Sequence, residues 1–478
     1  MPLPMIDFRK ALAVFSALAM TLAIVAIALH FPGQISMDTS MQLYEAQTGR
    51  SVSWAPPFMS ALMRWLGGSE RGTAGVVVIC SLLTYLSLAM VANSALRLRA
   101  AAGQARLSIL RVTACVLLLL NPVLLIYVGI VWKDVLFSSA MSAAVALSFA
   151  AAAAEGRRAL AWAAMAAALL AMALQIRQQG IFMAPLLLGL PILAVAAGRQ
   201  GARARRIGAA SILVATFVLS LLVTQALVAQ SIANSGDKSH SVGFRNIMLY
   251  DIAGIVARSG TPTAALPVAI TPQQREAVRS AYSSERIDYL IGSREAMVWL
   301  DSIPDNQRAR VWRKFIRREP TAFLEHKWFV FLALLDVNGI DGCLPMHVGV
   351  SGNADYLRAE GIAEGSNARA IGLYAFAEWF FDWPLFRHWF YALVLLAAVA
   401  TTLLTVMPAR LKGMCLVLAF ATAAFYLSYL PTSIACDFRY LYGAIPLITM
   451  LWLVLLAGGL RWRWPGTSRT QIPQGISP

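Results

Sequence analysis

The first apolar run of the chain is ALAVFSALAMTLAIVAIALH at residues 11–30, and the segment FPGQISMD at residues 31–38 follows it directly. About 20 consecutive apolar residues are enough for a helix to cross the hydrocarbon core of a bilayer. The run contains no charged side chain, and the first acid after it is Asp38. The stretch therefore predicts a membrane-spanning helix that places a carboxylate just beyond the membrane.

Similar apolar runs recur along the whole sequence. Hydrophobic residues make up 59% of the chain and charged residues 13%, whereas soluble domains contain about 25% charged residues. We predict ten spans, at residues 11–30, 74–96, 108–129, 134–154, 159–176, 181–198, 207–230, 386–407, 414–430 and 441–459. The expected fold class is an all-α polytopic membrane protein with about ten transmembrane helices.

The basic residues indicate the orientation of these spans. Basic clusters fall in every second loop, accompanied by the acids Asp7 and Glu155 alone. The clusters are Arg9 and Lys10; Arg97, Arg99, Arg106 and Arg111; Arg157 and Arg158; Arg199, Arg203, Arg205 and Arg206; Arg410 and Lys412; and Arg461, Arg463 and Arg469. Because cytoplasmic loops are enriched in Lys and Arg, we expect both termini in the cytoplasm and a multi-pass location in the inner membrane. The net charge of +16 then follows from topology, and we expect membrane lipids but no nucleic acid as partners.

The first span also carries one feature of a secretory signal peptide. Ala26-Ile27-Ala28 has the small-x-small pattern of a cleavage site. The span is long for the apolar part of a signal peptide, and no strong cleavage region follows it. We therefore expect an uncleaved anchor, and Asp38 lies on the outer side in either case.

The loops divide the chain into three parts. Residues 1–230 are expected to form a transmembrane module with spans one to seven and a first periplasmic loop at residues 31–73. Residues 231–385 are expected to form a mostly helical periplasmic region between spans seven and eight. Residues 386–478 hold spans eight to ten and a cytoplasmic tail.

Three helices are predicted within the periplasmic region. Thr271-Pro-Gln-Gln274 is a capping box with proline at the first helical position, which predicts a helix to about Ser302. Asp305 is expected to cap a second helix ending at Arg318, and a third helix is expected over Thr321–Leu335. Aromatic and basic residues alternate in the last two, which is typical of helices in the headgroup layer of a membrane.

The cysteine pattern bears on redox state and on metal binding. Cys80, Cys115 and Cys415 lie within predicted spans and are expected to be packing residues. Cys343 and Cys436 both fall on the outer side, where either a disulfide or two free thiols is consistent with the sequence. The sequence contains no CxxC, HxH or HExxH spacing, so we expect no zinc site. We expect no cofactor.

Several ionisable residues fall at span ends on the predicted outer side, where an unpaired charge is costly and often functional. Asp38 follows the first span, Lys133 and Asp134 lie between spans three and four, Arg177 lies between spans five and six, and Arg439 precedes the last. We expect these groups to share one outward-facing cavity.

The chemistry that suits this set is transfer from a lipid-phosphate donor. A leaving phosphate requires cations, which Lys133, Arg177 and Arg439 supply. An incoming hydroxyl requires a base, and Asp38 is the candidate. Further substrate contacts are predicted for Trp54, Asp134, Arg245, Tyr440 and Tyr442.

Structural interpretations of the same residues remain open. Asp38 also suits the N-cap of the next short helix. Lys133 and Asp134 also suit a structural pair at a tight turn, with Asp134 capping span four. Arg177 also suits snorkelling to lipid headgroups, and Arg439 also suits a surface ion pair with its neighbour Asp437. The histidines all fall on the predicted outer side and are expected to be interface residues: His30, His240, His326, His347 and His388.

At four positions the sequence resembles the GT-C superfamily of membrane glycosyltransferases. Asp38 lies in the first outer loop, and Trp54-Ala-Pro56-Pro57 follows it there. Trp132-Lys133-Asp134 stands at the start of an early span, and Asp437-Phe-Arg439-Tyr440 opens the last one. The resemblance covers the whole topology, and it implies a GT-C-like fold and a sugar donor linked to polyprenyl phosphate.

The resemblance also implies roles for individual residues. It makes Asp38 the catalytic base and places Arg439 and Lys133 on the donor phosphate. Many members have a second acid beside the first, whereas Thr39 stands at that position here and Glu45 is the nearest alternative. Since no acidic cluster suggests a metal, the expected enzyme is metal-independent. The acceptor is a glycan, a lipid or a protein of the cell envelope.

Two other functions compete with an inverting hexosyl- or pentosyltransferase of this kind. One is a transporter or flippase of lipid-linked sugars, which is disfavoured because we find no inverted repeat and expect no span broken by paired glycine and proline at the midplane. The other is a non-catalytic assembly protein, which would not need a carboxylate and several cations at one membrane depth. The sequence favours the transferase.

Overall fold

The computed structural model describes residues 4–53, 55–196, 203–233, 239–337, 339 and 342–458. Its membrane-associated helices and the two short helices of the first loop are α1 Phe8–His30, α2 Met37–Thr48, α3 Phe58–Trp65, α4 Ser69–Ala101, α5 Ile109–Leu119, α6 Pro122–Tyr127, α7 Lys133–Ala152, α8 Gly156–Ile176, α9 Gly180–Leu187, α10 Gly189–Ala196 and α11 Arg203–Ser231.

The remaining helices follow in chain order. They are α12 Ser239–Arg258, α13 Pro272–Ala281, α14 Asp288–Gly292, α15 Arg294–Asp301, α16 Asp305–Arg318, α17 Pro320–Leu334, α18 Ala354–Ala359, α19 Ala368–Glu378, α20 His388–Leu404, α21 Ala409–Thr432 and α22 Ala444–Gly458. Single 3₁₀ turns lie at Thr263–Ala265, Pro384–Phe386 and Phe438–Tyr440.

The described helices confirm an all-α polytopic membrane protein. Seven of them are long and apolar enough to cross a membrane: α1, α4, α5 together with α6, α7, α8, α11 and α21. Three shorter apolar helices coincide with predicted spans six, eight and ten: Gly180–Ala196, His388–Leu404 and Ala444–Gly458. Each predicted span therefore corresponds to a helix in the part of the chain that the structure describes.

Two predicted spans are interrupted near their middle, contrary to the expectation that none is broken there. The third span breaks between α5 and α6, where Asn121 caps α6 and Pro122 is its first residue. The sixth span breaks at Leu188, between α9 and α10. Pro191 explains the second break, because a proline ring clashes with the carbonyl four residues earlier, which is that of Leu187, the last residue of α9.

The centre of the bundle is α7, which is buried along nearly its whole length and packs between α4 and α8. Its sequence is dominated by alanine and serine, and small side chains allow neighbouring helices to approach closely. The helix begins at Lys133. Burial of α7 therefore fixes the position of Lys133 and Asp134 at one end of the bundle.

The opposite end holds a two-stranded ribbon that the sequence analysis did not predict. Strand β1, Met5–Asp7, pairs antiparallel with β2, Arg106–Ser108, so that Asp7 lies opposite Arg106. Asp7 also caps α1, because its carboxylate accepts a hydrogen bond of 2.8 Å from the backbone N–H of Arg9. The ribbon joins the start of the first span to the start of the third.

The region between α11 and α20 has a hydrophobic core of its own. Helix α12 packs there against α13, α16 and α17. The predicted capping box is confirmed, since the Thr271 hydroxyl accepts from the Gln274 N–H at 3.1 Å and the Gln274 side chain accepts from the Thr271 N–H at 2.9 Å. The predicted second and third helices are also confirmed, as α16 and α17.

Two details of that prediction are wrong. The first helix does not continue to Ser302: α13 ends at Ala281, and α14 and α15 follow separately. The reason is tertiary, because the chain after α13 pairs with the segment before the last span, where the Ile287 N–H donates to the Ile434 carbonyl at 2.9 Å. At the start of α16 the N-cap position belongs to Pro304, and Asp305 pairs with Arg308.

Cys343 and Cys436 form a disulfide, with their Cα atoms 5.3 Å apart. This bond decides between the two alternatives that the sequence left open. Cys80, Cys115 and Cys415 are buried free thiols. The disulfide ties the segment after α17 to the segment that leads into α22, close to Arg439.

Candidate functional site

Helix α2 positions Asp38 at the site end of the bundle. Its N-cap is Ser36, whose N–H donates to the Thr39 hydroxyl at 3.3 Å. Asp38 lies in the first turn, so the capping role considered for it is wrong. The Thr39 hydroxyl donates to the Val131 carbonyl at 2.7 Å, and the Trp132 indole N–H donates to the Ser36 hydroxyl at 2.8 Å. These two bonds fix α2 against the residues that precede α7.

Asp38 opens into a cavity of about 280 Å³. The cavity is formed by the span ends, by the start of α12 and by the segment between α21 and α22. The residues that line it are Asp38, Pro56, Lys133, Asp134, Arg177, Gln178, Gln179, Phe182, Gly243, Phe244, Ile247, Tyr429, Thr432, Ser433, Ile434, Arg439 and Tyr440. The structure thus brings together the predicted base, the three predicted phosphate ligands, and Asp134 and Tyr440.

Arg439 is the direct partner of Asp38. Its Nη1 lies 2.6 Å from Asp38 Oδ2, and its Nη2 lies 3.3 Å from Asp437 Oδ2. The guanidinium also stacks over the Trp132 ring, 4.7 Å from its centroid. The pair with Asp437 exists, but it is not the surface pair considered from the sequence, because the Asp437 side chain is only 3% exposed.

Arg177 and Asp134 form a second ion pair, in which both side chains are buried. Arg177 also donates to the Tyr440 carbonyl at 3.2 Å and to the Gln179 side chain at 3.1 Å. Its guanidinium lies 5.5 Å from the ring centroids of Tyr429 and of Tyr440. Snorkelling to headgroups is therefore the wrong interpretation of Arg177. Asp134 does not cap α7 either, since the N-cap position belongs to Trp132.

The cations of the cavity control the ionisation of Asp38. Burial acts to raise the pKa of this carboxyl, but the charges of Arg439, Lys133 and Arg177 outweigh burial and hold the pKa below its ordinary value. Asp38 is therefore a carboxylate at neutral pH. A carboxylate that is held by a guanidinium is a weak base, and it becomes a stronger one when the guanidinium turns to another anion.

Two predicted substrate contacts lie elsewhere. Tyr442 is buried in the bundle, and its ring stacks on Tyr127 with 4.7 Å between the centroids. Arg245 lies on α12 beside residues that line the cavity, but its guanidinium pairs with Asp301 at 3.1 Å. Tyr442 lies outside the cavity because its ring packs in the core, and Arg245 lies outside it because its guanidinium pairs with Asp301. Trp54 lies outside the described residues.

Glu45, the nearest alternative for a second acid, has a structural role. The Glu45 carboxylate is buried and accepts hydrogen bonds from the backbone N–H groups of Val52 and Ser53, at 2.8 and 2.6 Å, and from the Ser60 hydroxyl at 2.5 Å. These bonds hold the first loop between α2 and α3. Glu45 is not among the residues that line the cavity.

Sequence reasoning missed the apolar side of the cavity. Phe182 from α9 and Phe244 and Ile247 from α12 line it together with Tyr429. The available signal was an aromatic residue at a span end: Tyr429 lies near the end of α21, opposite Tyr440 at the start of the next span. No such signal pointed to α12, whose approach to the span ends is a tertiary effect.

The histidines with described side chains are bonded within the protein. His30 and His347 bond the carbonyls of Leu125 and Ile35 at 2.8 and 2.7 Å. His388 bonds the Phe438 carbonyl at 2.8 Å. The side chain of His240 lies outside the described part of the chain. Within the described residues, no three His, Cys, Asp or Glu side chains are grouped as metal ligands.

Comparisons with known proteins give little guidance. No protein-family model matches the chain, and no curated protein matches it. A crystal structure of ArnT from Cupriavidus metallidurans in the apo state matches with 15% identity over 94% of this chain and 77% of the other, at a TM-score of 0.32. At that TM-score the match carries no argument about fold family or function.

Proposed function

We propose that this protein is an integral membrane glycosyltransferase of the GT-C type, which moves a sugar from a polyprenyl-phosphate donor to a glycan, lipid or protein acceptor of the cell envelope. One observation carries the proposal. A carboxylate and three cations from four separate parts of the chain meet in one cavity at the end of a membrane bundle: Asp38, Lys133, Arg177 and Arg439.

The cations suit the phosphate of the donor. Arginine matches the geometry of phosphate oxygens with paired N–H donors, and lysine adds a point charge. The guanidinium groups of Arg177 and Arg439 lie 5.5 and 5.6 Å from the centroid of the Tyr440 ring, so both point to one part of the cavity where a phosphate would bind. Phe182, Phe244 and Ile247 give the same cavity an apolar wall, which suits the first isoprene units.

The proposed reaction is a displacement at the anomeric carbon of the sugar. The acceptor hydroxyl oxygen forms a bond to that carbon while Asp38 takes the hydroxyl proton. The bond between the anomeric carbon and the phosphate oxygen breaks, and polyprenyl phosphate leaves with the electron pair. Lys133, Arg177 and Arg439 stabilise its negative charge. Donor binding would also draw Arg439 towards the phosphate and so strengthen Asp38 as a base.

The proposed orientation places the cavity on the periplasmic side of the inner membrane, with both termini in the cytoplasm. The support is the recurrence of basic clusters in every second loop. Arg157 and Arg158 at the start of α8 and Arg410 at the start of α21 lie at the ends of their helices opposite the cavity.

A transporter or flippase is the competing function. The breaks in the third and sixth spans are a feature that transporters share. However, the residues at these two breaks, Leu120, Asn121 and Leu188, are not among those that line the cavity. The geometry therefore supports the transferase better.

The test is a comparison of full-length wild type with Asp38→Asn in liposomes that contain polyprenyl-phosphate sugars. Release of free polyprenyl phosphate is measured with and without a crude envelope extract as acceptor. We expect release that depends on the acceptor and is lost in Asp38→Asn. The matched control is Asp355→Asn, at a carboxylate that is 82% exposed, and it should release as wild type does.

Two outcomes would contradict the proposal. Wild type that releases no polyprenyl phosphate from any donor, but moves lipid-linked sugar across vesicles, is a transporter. Asp38→Asn that retains full release shows that Asp38 is not the base. Release that survives EDTA supports the expected metal independence, and release that EDTA abolishes and Mg²⁺ restores contradicts it.

A further inference from the structure

Arg439 belongs to a longer series of charges that reaches out of the cavity. We term Asp288, Arg286, Asp437, Arg439 and Asp38 the charge chain. Arg286 Nε lies 3.0 Å from Asp288 Oδ2, and Arg286 Nη1 lies 3.1 Å from Asp437 Oδ1. Asp437 Oδ2 in turn lies 3.3 Å from Arg439 Nη2, whose Nη1 holds Asp38. Charges of alternating sign thus connect the region between α13 and α14 with the candidate base.

We propose that Arg286 is a positioning residue, which acts through Asp437 to set how Arg439 divides between its own carboxylate partners and the donor phosphate. The proposal rests on the proposed function of the cavity and deepens it. Arg286 itself does not line the cavity, and it lies in the segment between α13 and α14.

The division of Asp437 between two guanidinium groups supports this role. One carboxylate oxygen faces Arg286 and the other faces Arg439. Without Arg286, both oxygens become available to Arg439, and a carboxylate prefers to bind a guanidinium through both. Arg439 would then be held more strongly by Asp437 and would be less available to a phosphate.

The backbone around Asp437 is held in place, so the carboxylate cannot drift away from its partners. Cys436 is joined to Cys343 by the disulfide. The Ile287 N–H donates to the Ile434 carbonyl at 2.9 Å, and the Phe438 N–H donates to the Leu344 carbonyl at 3.3 Å. The position of Asp437 is therefore set by three connections outside the membrane bundle.

Burial distinguishes the charge chain from an ordinary surface cluster. Asp288 is mostly exposed, Arg286 is 24% exposed and Asp437 is 3% exposed. Exposed pairs contribute little, but removing one partner of a buried charged pair leaves the other without compensation. Loss of Arg286 is therefore expected to affect its buried partner Asp437 and, through Asp437, the position of Arg439.

The experiment measures binding of a short-chain polyprenyl phosphate to the full-length protein in nanodiscs at neutral pH. We expect Arg286→Met to weaken binding about tenfold, the size expected for loss of one partner in a partly buried charge pair. Arg286→Lys keeps the charge and should restore most of the affinity. Arg294→Met, at an exposed arginine on α15, is the matched control and should bind as wild type does.

Asp437→Asn gives the decisive comparison, because it should strengthen binding about threefold by releasing Arg439 from a competing carboxylate. If Arg286 acts through Asp437, then Arg286→Met added to Asp437→Asn should change the affinity by less than about twofold. A merely structural role predicts that both single changes weaken binding. That result, or an additive double variant, would overturn the proposal.

The same experiment separates this proposal from the function on which it rests. If wild type binds polyprenyl phosphate and Arg286→Met binds it equally well, then the positioning role is wrong and the transferase proposal stands. If wild type neither binds polyprenyl phosphate nor releases it from a donor, then the transferase proposal is wrong and the positioning role falls with it. Size-exclusion profiles of all variants establish that they are folded.

Discussion

Arg177 and Asp134 compensate each other's charge inside the protein, where their side chains are 4% and 1% exposed. Arg177 follows α8 and Asp134 lies in the first turn of α7. The pair therefore joins two adjacent spans beside the cavity, which both residues line.

This pair predicts unequal effects of single and double substitutions on stability. Arg177→Met or Asp134→Asn alone should lower the free energy of unfolding by about 3–5 kcal/mol, because each leaves a buried charge without a partner. The double variant should be less destabilised than either single one. Denaturant unfolding in detergent measures the three values, and additive single effects would show that the two charges are not coupled.

The acid limit of turnover should move when Arg439 is removed. In the proposed reaction Asp38 must be ionised to take the proton, and its pKa lies below the ordinary carboxyl value because the cations outweigh burial. Arg439→Gln removes the charge that lowers the pKa of Asp38 most, whereas burial still raises it. The pKa of Asp38 should therefore rise, and kcat/KM should begin to fall at a higher pH.

The measurement is the profile of kcat/KM for polyprenyl phosphate release between about pH 4 and pH 8, where the acid limb reports the free enzyme. Wild type should stay flat towards the acid end. Arg439→Gln should lose activity progressively as the pH falls, in addition to an overall loss from weaker phosphate binding. An unchanged acid limb in Arg439→Gln would mean that Asp38 is not the titrating group.

The raised pKa of Asp336 predicts that the protein loses stability as the pH rises towards 8. Burial raises the pKa of this carboxyl to about 8, against the opposing effects of the His388 N–H and of Arg387. Between its unfolded and folded pKa values the native state binds the proton and the unfolded state does not. The free energy of unfolding should therefore fall by up to about 1.4 kcal/mol per pH unit in that window.

Asp336→Asn should remove this slope. Asparagine has the same shape, tolerates the positive φ of 56° at this position, and can still accept from the His388 N–H. The measurement is the midpoint of denaturation at several pH values between about 4 and 8 for both proteins. A slope that persists in Asp336→Asn would assign it to another group.

The disulfide should support both the stability of the outer region and the placement of Arg439. Cys343 and Cys436 are 93 residues apart in sequence, and closing a loop of that length is worth on the order of 4 kcal/mol. Reductant should lower the melting temperature and the turnover of wild type. Cys343→Ser with Cys436→Ser should show both losses without reductant and no further response to it.

The sequence alone was enough to predict the spans, because each requires a run of apolar residues that few other structures tolerate. It was also enough to select the charged residues at span ends, since an ionisable group at that depth is costly. Four residues selected in this way line the cavity: Asp38, Lys133, Arg177 and Arg439. The interruption of the sixth span was also readable from the sequence, at Pro191.

Side-chain direction and long-range pairing were not predictable in the same way. Tyr440 faces the cavity and Tyr442 faces the core, although they are two residues apart. Arg245 turns to Asp301 while its neighbour Phe244 turns to the cavity. The helix expected to reach Ser302 stops at Ala281 because a segment some 150 residues later pairs with the chain that follows it. Local pattern carries no information about such partners.

The ribbon of β1 and β2 has a consequence at the opposite face of the membrane. It clamps the start of α1 to the chain just before α5, so the first span cannot slide along the bilayer normal independently of the third. Helix α1 has 23 residues and is therefore about 35 Å long, and residues 31–36 connect its far end to α2. The depth of Asp38 relative to the lipid surface is thus set by backbone pairing on the opposite side of the bilayer.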